Sequence, residues 1–428
     1  MKLKILLTYI SVLALFCGCT TDINHELTSD SKAVAAIAPI EQETQSQTEE
    51  KTEPTALTIQ PDEITFNVPE EIEVYEEITL KQLAGNDMIT ILEGSTLADT
   101  SEVGIQKAQI SYMYNGEKYE NTIEYTVTDT TPPTLLNSGG SAVAELGSEF
   151  DLNDYVGFAD NYDRKPVLTY TGEVDTSVCG TYPLTATATD SSGNETTWDL
   201  SVKVMETIPQ PEVSGDPFEF EAFTMAYGGE NRAFGIDVSK WQGDIDFEAV
   251  KQENCQYVIM RIGSYYDDYT LDSKFYRNME NALAAGIDVG VYIYTTANTE
   301  EEARDNARWI AEILDGQELD FPVVFDWEHF GTFQQYEMSI HDLNQYFEAF
   351  ADELDSLGYD AMLYSSKNFL NNFWYEHKDY PIWLAHYTDE TDYTGEHAMW
   401  QMSSTGRIDG IDGDVDFNIL YTDKLGGQ

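Results

Sequence analysis

Three rhythms of apolar and polar residues divide the chain. From Leu57 to Val204 apolar residues recur at every second position in short runs such as ITFNV, EIEVYEEITL and YPLTATATDSSGNETTWDLSVKV. That period belongs to half-buried strands. Asn115-Gly116 and Ser192-Gly193-Asn194 fall between such runs and predict hairpin turns. From Ala233 onward, short β-branched runs alternate with helical periodicities. Strands are predicted at 233–238, 257–262, 289–294, 321–328, 361–365, 382–385, 398–402 and 415–417, with helices at 245–253, 273–285, 299–314, 339–357 and 367–371. Gly286 and Gly358 stand where two of these helices should stop, and Thr299 with Glu302 fits a capping box. Residues 20 to about 56 have neither rhythm. They are rich in Thr, Gln, Glu and Ser and predict a disordered acidic tether with a reach of about 30–35 Å.

The β half carries an internal repeat. Asp99-Thr100-Ser101 and Gly104 recur as Asp175-Thr176-Ser177 and Gly180. Two all-β sandwiches follow from this, at 57–130 and 131–206, and the Pro-punctuated stretch 207–229 reads as a stiff linker. In the C-terminal part, 230–428, strand–helix alternation predicts a parallel sheet, and eight strands with about five helices suggest closure into a trimmed TIM-like α/β barrel. The expected whole is therefore multidomain.

Before the tether, Lys2 and Lys4 precede an apolar run from Ile5 to Phe16 that ends Phe16-Cys17-Gly18-Cys19. This predicts an export segment over 1–19. Its close resembles a bacterial lipobox, which implies lipidation at Cys19 and attachment to a membrane only through that anchor. An ordinary signal peptide is the alternative. Cys179 and Cys255 fall in different predicted domains and are expected as buried, unpaired thiols. No Cys/His cluster has metal-ligand spacing, so neither a metal nor a cofactor is expected.

A net charge of -56, from 22 basic and 78 acidic residues, argues against nucleic acid as a partner. It also disfavours charge-driven adhesion to polyanions.

The chemistry concentrates at Phe321–Glu328, FPVVFDWE. Positions two apart on a strand share a face, so Asp326 and Glu328 point the same way from the end of an apolar strand. In α/β barrels active sites gather at C-terminal strand ends. Asp237 ends the first predicted strand and Asp416 lies near the eighth, which brings four acids to one end. Tyr294, Tyr364, Trp383, Tyr387 and Trp400 stand at strand ends too, with Gln401 beside them, although large aromatics also fill barrels. Trp327, between the two acids, should point away from the cleft and pack against a helix.

These residues resemble glycoside hydrolase family 25, the lysozymes of the N-acetylmuramidase type, over about 230–425. The motifs are Gly235-Ile236-Asp237-Val238-Ser239 with Trp241-Gln242-Gly243, then Asp326 and Glu328, Ile382-Trp383-Leu384-Ala385, Met399-Trp400-Gln401, and Gly413 with Val415, Asp416 and Asn418. The resemblance implies a glycosidase acting on peptidoglycan glycan strands. Glu328 would be general acid/base, Asp326 would manage the substrate's N-acetyl group in a retaining, substrate-assisted reaction, and Asp237 and Asp416 would line the cleft. Tyr294, Tyr364, Trp383, Tyr387 and Trp400 would then suit the faces of sugar rings, and Gln401 could bond an acetamido group. Residues 131–206 resemble a bacterial immunoglobulin-like surface module through Thr131-Pro132-Pro133, Gly180-Thr181-Tyr182 and Thr189–Asn194. Such modules imply spacing or adhesion, and a spacer is favoured. An extracellular, membrane-anchored cell-wall hydrolase is the expectation. A chitinase-like barrel and a non-catalytic glycan-binding surface protein are the rivals.

Overall fold

The computed structural model describes residues 64–136, 141–208, 218–329 and 333–425. The export segment, Cys19 and the whole of the tether lie outside these residues. The chain divides into two compact units, one ending at Thr130 and the other beginning at Thr131.

In the first unit, strands Gly104–Tyr114 and Glu117–Thr128 form a hairpin flanked by the short strands Thr90–Ile91 and Ile72–Glu73. The hairpin turns at Asn115-Gly116, both at positive φ (49° and 85°), the conformation a type I′ turn requires. No second sheet faces this one among the described residues. The sandwich expectation is corrected here: buried Leu80, Leu83 and Ala84 come instead from a helix, Leu80–Ala84, with a Thr79–Gln82 capping box.

The second β module also has one four-stranded sheet, built from Ser141–Glu145, Glu195–Met205, Gly180–Thr189 and Val167–Thr171. Its other strands form only a short pair, Thr134–Leu135 with Phe158–Ala159. The repeat is visible atom by atom. Asp99 Oδ1 accepts the Ser101 N–H at 3.0 Å and its hydroxyl at 2.6 Å, and Asp175 Oδ1 accepts the same two groups of Ser177 at the same distances. Cys179, expected as buried, is exposed in the turn that follows; Cys255 is buried, and both thiols are free.

This second module packs against the barrel. Leu136 and Ala159 bury into the barrel's outer core, and the Ile340 N–H donates to Asp160 O at 2.7 Å. Arg164 forks onto both oxygens of Asp342, at 2.7 and 2.8 Å.

The barrel strands are β1 (Arg232–Val238), β2 (Tyr257–Tyr266), β3 (Asp288–Thr295), β4 (Val323–Trp327), β5 (Ala361–Ser366), β6 (Ile382–Ala385), β7 (Met399–Arg407) and β8 (Val415–Tyr421). Helices α1 (Phe247–Gln252), α2 (Phe275–Ala284), α3 (Glu300–Leu314), α4 (Ile340–Leu357) and α5 (Lys367–Asn372) connect the first six strands. Strands β1 to β7 run parallel in chain order, and β8 closes the barrel by pairing antiparallel with both β7 and β1. The expected all-parallel sheet fails at β8 because the loop from β7 is too short for a crossover, which takes a dozen residues or more.

Apolar residues alternate between two destinations. Val258, Met260, Phe325 and Leu363 face outward beneath the helices, while Tyr257, Ile259, Val324 and Met362 fill the barrel. The predicted linker is also shorter than expected. Phe218–Glu219 pairs with Gly406–Arg407 of β7, and the helix Phe220–Tyr227 lays Phe223 on Phe417 with ring centroids 4.9 Å apart.

Candidate active site

Strand β4 is buried at every position, and its alternation sorts the side chains. Val324 and Asp326 face the interior, and Glu328 follows on the same side just past the strand's end. Val323, Phe325 and Trp327 belong to the outer core. Trp327 is wholly buried. Its Nε1–H donates to Ala297 O at 2.9 Å, and its ring meets Phe333 of the short helix Phe333–Tyr336 at 5.7 Å. Asp326 and Glu328 each keep one buried oxygen, Oδ1 and Oε2, with no hydrogen-bond partner among the described residues. An unsatisfied buried carboxylate oxygen is costly. It makes sense in a site that waits for a ligand.

Asp237 comes to the same end from β1 and stands directly opposite Asp416 of β8. Like charges across a strand pair repel. Asp237 Oδ2 is compensated by two amides, Asn418 Nδ2–H at 2.7 Å and Gln401 Nε2–H at 2.9 Å. Both amides are held in place from behind. Asn418 Oδ1 accepts the Trp383 indole N–H at 2.8 Å, and Gln401 Oε1 accepts the hydroxyls of Tyr364 and Tyr387 at 2.8 and 3.0 Å. Gly235, two residues before Asp237, makes room below. A Cβ there would come within 2.5 Å of the Tyr257 ring and its carbonyl oxygen.

Gathering four acids raises the affinity of each for protons. Burial pushes Glu328 up to about 7, with the Asp237 charge adding to it. Asp237 is pushed up to about 6 by burial, against the pull of its Asn418 and Gln401 bonds. Asp326 and Asp416 are raised by burial first and by neighbouring carboxylates second. His329, beside Glu328, is lowered to about 4 by burial and is neutral at ordinary pH. The cluster therefore holds protons near neutrality, which suits a proton donor working beside an anion.

The region that carries this site matches the model of glycosyl hydrolases family 25 over residues 236–411. YegX of Escherichia coli K12 is 30% identical over 193 residues, which cover 44% of this chain and 68% of YegX. The chain belongs to glycosyl hydrolase family 25. The autolytic lysozyme of Clostridium acetobutylicum is 31% identical over 188 residues, 43% of this chain; the chain spans only about half of that relative (54%). A solved bacterial lysozyme from Streptomyces coelicolor shares 28% identity, covering 46% of this chain and 93% of its own, with a TM-score of 0.40. Residues 135–204 match the bacterial surface protein Ig-like domain.

Within this family 25 barrel the six predicted sugar-binding residues part company. Tyr294 and Tyr387 border the acids, and Tyr387 is 48% exposed. Tyr364 faces the interior but is buried, engaged with Gln401. Trp383 is a core residue that braces Asn418. Trp400 is not in the cleft. Met399 and Gln401 face inward, so Trp400 between them faces out, donates to His386 O at 2.8 Å and meets Tyr227 edge-on. Gln401 has spent its acceptor on two tyrosines and donates to Asp237, so it orients an acid instead of offering its carbonyl to an acetamido group. Asn418, in sequence only the last residue of a motif, is a functional residue here, and its separation of two from Asp416 is the signal that puts both on one face.

Proposed function

We propose that the barrel hydrolyses the β-1,4 bond between N-acetylmuramic acid and N-acetylglucosamine in peptidoglycan, as an exported muramidase of the bacterial cell surface. The observation that carries this reading is the Asp326–Glu328 pair, each with a buried, unpartnered oxygen and each raised by burial. Glu328, protonated, gives its proton to the glycosidic oxygen as the bond to C1 breaks. The substrate's N-acetyl oxygen bonds to C1, and Asp326 stabilises the positive charge that develops on the acetamido group. The Glu328 carboxylate then takes a proton from water, whose oxygen replaces the acetamido oxygen at C1 with net retention. Asp237 raises the proton affinity of Glu328, Asp416 lines the cleft beside it, and Tyr294 and Tyr387 offer ring faces to the sugars. Attachment through Cys19 would hold the enzyme near its substrate.

Clearing of purified cell walls, with reducing-end analysis of the released muropeptides, tests the proposal. N-acetylmuramic acid is expected at the new reducing end, and Glu328→Gln should lower the rate by about 10²–10⁴. Undiminished activity in that variant, or N-acetylglucosamine at the reducing end, would overturn it. Cleavage of chitin oligomers in preference to peptidoglycan would instead point to a chitinase-like enzyme.

A further inference from the structure

Glu328 is not held by the ladder of its own strand. The pairing of β4 with β3 ends at Trp327 and that with β5 at Asp326, so Glu328 lies beyond the last paired residue on both sides. Its backbone is therefore fixed by what flanks it in the chain. Before it, the buried Trp327 rests on Phe333 of the short helix Phe333–Tyr336, ring centroids 5.7 Å apart. After it, the chain runs through that helix to α4, whose Phe347 and Phe350 pack on Phe325 of β4 at 5.8 and 5.0 Å.

The second β module grips this connection at both ends. Its strand Phe158–Ala159 packs on the short helix, and Phe158 O accepts a side-chain N–H of Gln334. Lys165 Nζ stands 2.8 Å from Glu337 just beyond. At α4 the contact is a helix cap. The first N–H groups of an α-helix have no partner within it. In α4 two are satisfied from inside by a capping box, Ser339 N–H on Asp342 Oδ2 at 2.8 Å and Asp342 N–H on Ser339 Oγ at 3.1 Å. The two between are taken by the module. Ile340 N–H donates to Asp160 O at 2.7 Å and His341 N–H to Asn161 O at 3.3 Å. The loop that offers these carbonyls is itself pinned. Asp160 Oδ1 accepts the N–H groups of Tyr162 and Asp163 at 2.9 and 2.6 Å, and Asp163 Oδ2 accepts Ser191 N–H at 2.7 Å from the neighbouring turn.

We propose that the immunoglobulin-like module is a positioning element for the reaction: it caps α4, holds the short helix behind Trp327, and so fixes the connection that carries Glu328 past the end of β4. Arg164, forked on Asp342, and Gln334 are the positioning residues. This rests on Glu328 as the proton donor and adds what aims it. Aim matters, because a reacting group misplaced by about 1 Å costs about 10²-fold in rate. Releasing the module leaves the barrel its own supports. The Arg164 side chain is 62% exposed, whereas that of Asp342 is 12% exposed. With Arg164 removed, Asp342 keeps its capping box and remains an acid in the first turn of a helix, where the dipole favours it.

The test compares the full chain carrying Arg164→Met with Gln334→Ala against the parent, by amide exchange and by hydrolysis of soluble peptidoglycan fragments. Exchange at Ile340 and His341 should quicken by about tenfold, the effect of losing a helix cap. In protein still folded at the assay temperature, kcat should fall by roughly 10–10²-fold while KM stays in place. Arg164→Lys alone, with Gln334 and the charge retained, should recover most of the parent kcat. Faster exchange with kcat intact would overturn the proposal, whatever KM did. Unchanged exchange would overturn it as well, since these contacts would then not hold the cap. If the double variant does not fold, Arg164→Met alone decides by the same two readouts. Full activity in Glu328→Gln would instead overturn the role of Glu328 itself, so the two failures are distinct.

Discussion

Met362 and Tyr364 stand two residues apart on β5 and face the same barrel interior, yet they belong to different environments. Met362 lies among Ile259, Val324, Met399 and Leu420, where burial is the stabilising force. Tyr364 lies at the level of Asp326, with which it is paired in register, and its hydroxyl joins a chain of hydrogen bonds that ends on Asp237. At that level burial is a cost. It leaves two carboxylate oxygens without partners and raises all four acids towards protonation. One strand alternation thus builds a core below and a reactive layer above, and the difference lies only in which side chains fill the inward positions.

The sharpest way to break the comparison is to damage the lower layer and look for a response above. Met362→Ala, at a site with no exposure, should destabilise the barrel by about 2–5 kcal/mol. Its denaturation midpoint should fall while the acid limb of its pH–rate profile stays in place. A displaced limb would mean that the layers are not separable.

The upper layer should respond with the opposite sign. A carboxyl whose folded pKa lies above its unfolded value contributes stability below the unfolded pKa and loses it as pH rises through the folded one. For Glu328 that window runs from 4.5 to about 7. Glu328→Gln has no charge to bury. It should match the parent near pH 4 and exceed it by roughly 1–3 kcal/mol above pH 7. Thermal unfolding at the two pH values measures the difference. An equal effect at both would show that Glu328 is not held protonated by its surroundings.

How far the sequence reveals these two layers depends on which physical rule is at work. Alternation alone separates Asp326 and Glu328 from Trp327, because it is local and a single strand decides it. The same rule excludes Trp400 from the face of Gln401, although by residue type alone every aromatic at a strand end suits a sugar face equally well. The direction of β8 depended on the length of one loop. The helix that covers the sheet of the first module, Leu80–Ala84, has no mark in the alternation, because alternating strands look the same whether a helix or a second sheet covers them. The docking of the second module on the barrel had no local signature. Arg164 and Asp342 are 178 positions apart, and nothing in either neighbourhood marks the other.

The finest probe of the boundary between the layers is Tyr364→Phe, which removes one oxygen and keeps the ring. Gln401 Oε1 would lose its 2.8 Å bond from Tyr364 and keep the 3.0 Å bond from Tyr387, so its amide should still reach Asp237, less firmly held. The cost in stability should be about 1 kcal/mol, the net worth of one hydrogen bond, well below that of Met362→Ala two residues earlier. The Gln401 bond favours the ionised form of Asp237, so weakening it should let Asp237 titrate somewhat above its present value of about 6. A carboxyl titration of Asp237 that shifts upward in Tyr364→Phe and stays put in Met362→Ala would place the boundary between those two residues. A shift in both, or in neither, would place it elsewhere.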